Sequence, residues 1–249
     1  HSQMLQNEGQ FRQYYRMSFR SFEKLLRLLA PSFRVNESQS RRRTRGDVPL
    51  SPVNKLQMFF SWLAGYSFHP VRMLAGGSKS AFYISISQVM DAIQAHDELQ
   101  LQIPTTEYEQ RESAKAFARL VNIPVLIGCV GAVDGWLCCM QVPSRREVNC
   151  VSFFFSGHYQ RYGVNVQACV DHRSRFTAVT SASPGGMGDA LAFTQWGLSS
   201  VVESFPVGLY LVGDNAYLNG NALLTPFTRP QTASHSTTTG YIETTSTFI

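Results

Sequence analysis

Two short apolar runs in the second half of the chain each close on a carboxylate: Cys129-Val-Gly-Ala-Val-Asp134 and Tyr210-Leu-Val-Gly-Asp214. Their length and composition predict buried strands over 126–134 and 209–212. A charge that ends a buried strand must be paired, hydrogen-bonded or bound to a cation. Between the two runs, residues 164–171 alternate apolar and polar positions, and 176–182 do so more loosely. The sequence Asp171-His-Arg-Ser-Arg175 joins them, so this stretch reads as a hairpin with Asp171 in its turn. Gly185-Gly186 then makes a loop. Asp189 stands as the N-cap of a helix carrying Leu191, Trp196, Leu198, Val201 and Val202 on one face, closed by Pro206 and Gly208. The predicted order is three antiparallel strands, a helix and a parallel strand. A right-handed crossover lays the last strand beside the first, with Asp134 and Asp214 neighbours at the carboxyl end of the sheet.

The first hundred residues carry a helical period instead. Phe22, Leu25, Leu26 and Leu29 share a face of a helix that stops at Pro31. Ser51-Pro52 starts a second, carrying Leu56, Phe59, Phe60 and Leu63 and closed by Gly65. Residues 70–75 form a short third helix and Gly76-Gly77 a turn. Ser78 caps a longer one with Phe82, Ile86, Val89, Met90 and Ile93 on a face, although Ile84-Ser-Ile-Ser87 also alternates like a strand. Short helix, tight turn and long helix make a helix-turn-helix candidate, with Lys79, Ser80 and Tyr83 nearest the bases if the last helix enters a major groove. The competing reading is a helical bundle whose polar face meets water. The chain thus divides into a helical region over 1–100, a linker over 101–125, an α/β core over 126–230 and a Ser/Thr-rich tail over 231–249.

Composition bounds the function. The chain has 249 residues, 44% of them apolar and only 16% charged, which is globular, and its 22 basic against 17 acidic residues tilt it toward a polyanionic partner. Arg41, Arg42, Arg43 and Arg45 form a short basic cluster suited to phosphate contact or nuclear import, or to a solvated loop. No secretory signal is visible, and Asn122, Pro124, Asp134 and Gln141 interrupt the most membrane-like stretch, so no membrane span is expected. Five cysteines, without C-x-x-C spacing, read as small hydrophobes in a reducing compartment. His158 and His172 read as surface residues. Gly185-Gly186-Met-Gly188 lacks the Lys-Ser/Thr of a phosphate-binding loop.

Several phrases occur together in order: Gly131-Ala-Val-Asp-Gly135, Tyr162-Gly-Val-Asn-Val-Gln-Ala-Cys-Val-Asp171, Arg175-Phe176, Pro184-Gly185 followed by Asp189-Ala190, Gly213-Asp-Asn-Ala-Tyr217 and Leu223-Leu-Thr-Pro226. From about residue 11 to Pro230 the chain resembles the transposases of PIF/Harbinger DNA transposons and their domesticated, nuclease-like derivatives. The resemblance implies an RNase H-like DDE nuclease core with a mixed sheet, preceded by a helix-turn-helix-like DNA-binding region. It implies Mg²⁺ or Mn²⁺ as cofactor, with Asp134 and Asp214 as the first and second acidic ligands. It also implies DNA as substrate, a Myb-like partner protein, a homodimer acting on two DNA ends, and a nuclear location, with the cytoplasm also open. Hard oxygen ligands suit such cations, and metal ions activate the attacking oxygen and stabilise the leaving one in phosphodiester cleavage.

The third acid of that pattern is a Glu on a helix, and here the chain departs. After Pro230 ten of nineteen residues are Ser or Thr, which form a helix poorly, and Ile242-Glu243 matches only as a dipeptide. Glu243 is therefore a weak catalytic candidate and Asp189 a secondary acidic one. With no initiator Met at His1, the chain reads as a fragment or decayed copy. The expected activity is a transposase-like, metal-dependent DNA endonuclease impaired at its third ligand. The alternatives are an inactive relative that binds DNA or protein, and an RNase H-like nuclease acting on another nucleic acid.

Overall fold

The structure is a computed structural model that describes residues 8–33, 49–120 and 126–226. Arg41, Arg42, Arg43, Arg45, Glu243 and the Ser/Thr-rich segment 231–249 lie outside the described residues. The chain divides into two compact units, His1–Gln100 and Leu101–Ile249.

In the first unit the described elements are helices α1 (Glu8–Tyr15), α2 (Phe19–Leu29), α3 (Pro52–Leu63), α4 (Phe68–Leu74) and α5 (Lys79–Gln94), with a 3₁₀ turn at Ala30–Phe33. Serine caps set three of the starts. Ser18 accepts from the Ser21 N–H at 3.0 Å, Ser51 from Asn54 at 3.1 Å and Ser78 from Ala81 at 3.1 Å. Phe11, Phe22, Leu29, Leu56, Met58, Phe82 and Val89 fill the core between them. The strand-like alternation at Ile84–Ser87 yields to the helix. Phe82, Ile86 and Val89 keep the helical period inward, while buried Ser85 returns its hydroxyl to the Ala81 carbonyl at 2.7 Å. Met90, expected on the buried face, is exposed. Helix α1 carries Phe11, Tyr14 and Tyr15 and had no counterpart among the expected elements.

The second unit opens with helix α6 (Glu107–Ala118), inside the stretch expected to be a linker. Its sequence is polar along most of its length, so its signal lies in the cap: Thr106 and Glu109 form a capping box. One narrow face is inward. Ala114 and Phe117 are buried, and the Ser113 hydroxyl donates to the Val130 carbonyl at 2.8 Å, tying the helix to the sheet.

The sheet contains β1 (Cys129–Cys139), β2 (Phe155–Ser156), β3 (Arg161–Val170), β4 (Phe176–Pro184), β5 (Tyr210–Val212) and β6 (Leu223–Leu224). Its order is β2-β3-β1-β5-β6, with β4 on β3. β1 and β4 pair antiparallel to β3, whereas β5 runs parallel to β1 and β6 parallel to β5. This is the expected mixed sheet with its parallel return. Two helices occupy the crossover, α7 (Asp189–Gln195) and α8 (Gly197–Glu203), where one was expected. Trp196 breaks them apart with an extended backbone (ψ 132°) and packs its ring edge-on to Phe193. Phe193, Leu198 and Val202 cover a core built with Val130, Val133, Cys169 and Leu211.

One strand differs from expectation in a way that bears on the site. β1 does not end at Asp134 but continues to Cys139, because its ladder with β3 runs unbroken from Ala132↔Val170 to Cys139↔Gly163. What ends near Asp134 is the neighbouring β5.

Candidate active site

Register brings the two aspartates level. β1 and β5 pair Cys129 with Tyr210, then Gly131 with Leu211 and Ala132 with Val212, so β1 holds one extra residue between Cys129 and Gly131. Without that bulge Asp134 would face the residue after Asp214. With it, both aspartates lie two positions beyond the last pair, Ala132↔Val212. Gly131 suits the crowding there: a Cβ on it would stand 3.0 Å from the Cys169 sulfur and 3.1 Å from Leu211.

Asp134 is half-buried at the point where β1 loses its β5 neighbour, and its Oδ1 accepts the Gly135 N–H at 2.8 Å. Burial pushes its carboxyl above the usual carboxylate range. The Gly135 N–H opposes this, and the charges of Asp214 and Asp189 add to it. Asp214 is exposed and sits in a tight turn, its Oδ1 accepting from Ala216 at 2.9 Å and its carbonyl from Tyr217. Among the described residues no ion pair reaches Asp134, Asp189 or Asp214, so three carboxylates share one field with no side-chain counter-charge.

Asp189 is not a helix cap. Gly188 occupies the cap position and Asp189 is the first residue of α7. Its Oδ1 instead accepts from Asn165 at 2.9 Å and Gln167 at 2.7 Å, two buried amides on the same face of β3. Asn165 also donates to the Met187 carbonyl at 2.9 Å, fixing the preceding loop. Gln167 pairs across the ladder with Gly135, whose missing side chain makes room: a Cβ there would collide with the Gln167 amide and lie 2.9 Å from the Asp189 carboxyl carbon. Gln167 also accepts the Tyr217 hydroxyl at 2.6 Å. Burial first, then the charges of Asp189, Asp134 and Asp214, raise the Tyr217 hydroxyl far above an ordinary phenol and keep it protonated.

The remaining candidates are dispersed. Asp171 is a turn residue, accepting the N–H groups of Arg173 and Arg175 at 2.8 and 3.0 Å and pairing with the Arg175 guanidinium at 2.6 Å. Partial burial would raise its carboxyl, but Arg175 and these N–H groups outweigh that and hold it low. His158 is exposed, and His172 packs edge-on to Phe117. The cysteines are all free. Cys129 and Cys169 are buried with raised thiols, at about 12 and about 11, because burial disfavours thiolate, whereas Cys138 and Cys139 are exposed rather than packed as small hydrophobes. Lys79, Ser80 and Tyr83 are exposed on the first turns of α5, with the Lys79 ammonium 5.9 Å from the Phe68 ring centre. Asn165, Gln167 and Gly135 were not singled out by sequence reasoning. The available signal was amides at alternate positions on the inward face of a strand, facing a glycine next to an aspartate.

The donor set suits a hard divalent cation: carboxylate oxygens, a surplus of negative charge and, among the described residues, no lysine or arginine paired with them. Among the described residues no three His, Cys, Asp or Glu side chains converge as a complete metal site. Asp134 and Asp214 could supply two carboxylate oxygens to such a cation, and Mg²⁺ keeps several water ligands besides.

Comparison with known families finds one match. Residues 133–245 match the family model of the DDE superfamily endonucleases. The match takes in Asp134, Asp189 and Asp214, and it runs on through Glu243. Endonucleases of this superfamily generally use divalent metals. No curated protein and no solved structure gave a match. No helix among the described residues is long and apolar enough to cross a membrane.

Proposed function

We infer that the protein is a transposase-like endonuclease that hydrolyses DNA phosphodiester bonds with Mg²⁺ or Mn²⁺ anchored on Asp134 and Asp214. The observation that carries this reading is the β1 bulge, which brings Asp134 on β1 level with Asp214 just past the end of parallel β5, with no ion pair to either among the described residues. The strand order, with an antiparallel β4-β3-β1 set and parallel β5 and β6 on its other side, supports an RNase H-like core. The motifs from Gly131 to Pro226 support the PIF/Harbinger subfamily.

When bound, the cation would activate the attacking water and stabilise the leaving oxygen. The chain's own part is to hold and orient. Asp134, fixed by the Gly135 N–H, and Asp214, fixed by its turn, present oxygens at one level. Glu243 lies within the matched span and is our candidate for the third ligand, with Asp189 as the secondary acid. The α4–turn–α5 segment is assigned to DNA contact through Lys79, Ser80 and Tyr83, together with Arg41, Arg42, Arg43 and Arg45. A Myb-like partner, a homodimer and a nuclear location follow from the same reading.

A second reading is a non-catalytic relative that binds DNA or protein, since the segment that carries Glu243 is rich in Ser and Thr and matches the third-acid pattern only as Ile242-Glu243. Nicking of supercoiled plasmid separates the two. Mg²⁺- or Mn²⁺-dependent nicking that disappears in Asp134→Asn and Asp214→Asn supports the endonuclease, and its further loss in Glu243→Gln would assign the third ligand. Absence of nicking with DNA binding retained supports the second reading.

A further inference from the structure

Two like charges held level beside each other repel, and Asp214 lies past the end of a three-residue strand in an exposed loop. Something must hold it there. From Gly213 to Gly220 the one buried side chain is Tyr217. Its ring packs edge-on to Phe193 with centroids 5.8 Å apart, and its hydroxyl reaches back to Gln167.

Resting on the endonuclease reading, we propose that Gln167 and Tyr217 are positioning residues that lock the second aspartate to the first and so set the cation affinity of the site. Gln167 is fully buried, and both N–H groups and the oxygen of its amide are engaged. Its nitrogen donates to Asn165 Oδ1 and Asp189 Oδ1, both at 2.7 Å, and its oxygen accepts from Tyr217 at 2.6 Å. The amide cannot turn over, since its oxygen would then face the Asp189 carboxylate and the Asn165 carbonyl. One side chain thereby joins three acid-bearing segments. It sits across the ladder from Gly135, beside Asp134. It holds Asp189 at the start of α7, and it holds Tyr217 three residues after Asp214. The Asp214 turn closes the remaining gap through the Ala216 and Tyr217 N–H groups. Loss of the Tyr217 hydroxyl frees that turn to relax away from Asp134, and a cation then has to pull it back.

The test uses the full chain and Mn²⁺ alone, with free Mn²⁺ counted by its electron paramagnetic resonance signal and unfolding followed in EDTA. Tyr217→Phe keeps the ring and its packing, and its Mn²⁺ affinity should fall about tenfold, as loss of a supporting hydrogen bond behind metal ligands does. Gln167→Met should weaken it at least as much. Val202→Ala loosens the same core without touching the hydrogen bonds or the Phe193–Tyr217 pair; it should lower the unfolding temperature and leave Mn²⁺ affinity unchanged. Equal weakening by Val202→Ala would make the effect one of general stability and overturn the proposal. Mn²⁺ affinity within twofold of wild type in Tyr217→Phe, while Asp134→Asn abolishes binding, would overturn the proposal and leave the metal reading standing. Absence of Mn²⁺ binding by the wild type would remove both.

Discussion

Replacing Asp134 by asparagine should make the cation-free protein more stable and the cation-loaded protein less stable than wild type. Neighbouring strands stand about 4.8 Å apart, and with Asp214 two residues past the end of β5 the two carboxylates are expected roughly 6 Å apart. Two unit charges at that distance repel by about 3 kcal/mol at an effective dielectric constant of 20. Asp134 is half-buried and Asp214 exposed, so solvent and salt cut this to about 1 kcal/mol. Asparagine keeps the bond to the Gly135 N–H, because its carbonyl oxygen accepts in the same place. A gain of about 1 kcal/mol corresponds to a rise of about 2–4 °C in unfolding temperature for a domain of this size.

The pH dependence has a defined sign. The folded state raises the Asp134 carboxyl above its ordinary value of 3.8, so the native protein holds this proton more tightly than the unfolded chain does. The stability this gives is complete below that value and is lost as pH rises through the raised folded value. The variant lacks the group, so the gap between the two proteins opens across that acidic window and is level at neutral pH. Saturating Mg²⁺ then reverses the order, since at a hundred times the dissociation constant a ligand stabilises by about 2.7 kcal/mol, and only the wild type binds it. Calorimetry with EDTA and with Mg²⁺ reads both halves. An asparagine variant less stable than wild type in EDTA, or one stabilised equally by Mg²⁺, would refute the reasoning.

Further outcomes follow from the same geometry. Gly135→Ala forces the Gln167 amide or Asp189 aside, breaking hydrogen bonds to a carboxylate worth about 1.5–3 kcal/mol each, and should lower the unfolding temperature and Mn²⁺ affinity together. Thr106→Ala removes the capping-box hydroxyl of α6 and should cost about 1 kcal/mol in urea unfolding with Mn²⁺ affinity unchanged. Deleting residues 1–100, which form their own compact unit, should abolish the weak, steeply salt-dependent DNA binding of the full chain in a fluorescence anisotropy titration; retention by the second unit alone would move the DNA-binding surface.

The legible parts of this fold were those where pattern and burial agree. The β3–β4 hairpin followed from alternation, and the parallel return to β1 followed from strand–helix–strand order. Helix α6 was missed because its inward face is carried by small or polar residues, Ser113, Ala114 and buried Gln110, with a single aromatic, Phe117. The continuation of β1 to Cys139 was missed because Asp134-Gly135 reads as the end of a strand, although Trp136-Leu-Cys-Cys139 stays apolar and the ladder with β3 persists. The β1 bulge has no local sequence signature beyond Gly131. Asp189 fits a cap as well as a buried acid from sequence alone. Only the fold places Asn165 and Gln167 against it and leaves Gly135 as the space it fills.

The most direct measurement is anomalous diffraction at the manganese edge from crystals of the full chain grown with Mn²⁺. The account expects a peak within coordination distance, about 2.0–2.4 Å, of carboxylate oxygens from both Asp134 and Asp214. A crystal with Mn²⁺ bound elsewhere and these two carboxylates turned apart would contradict it.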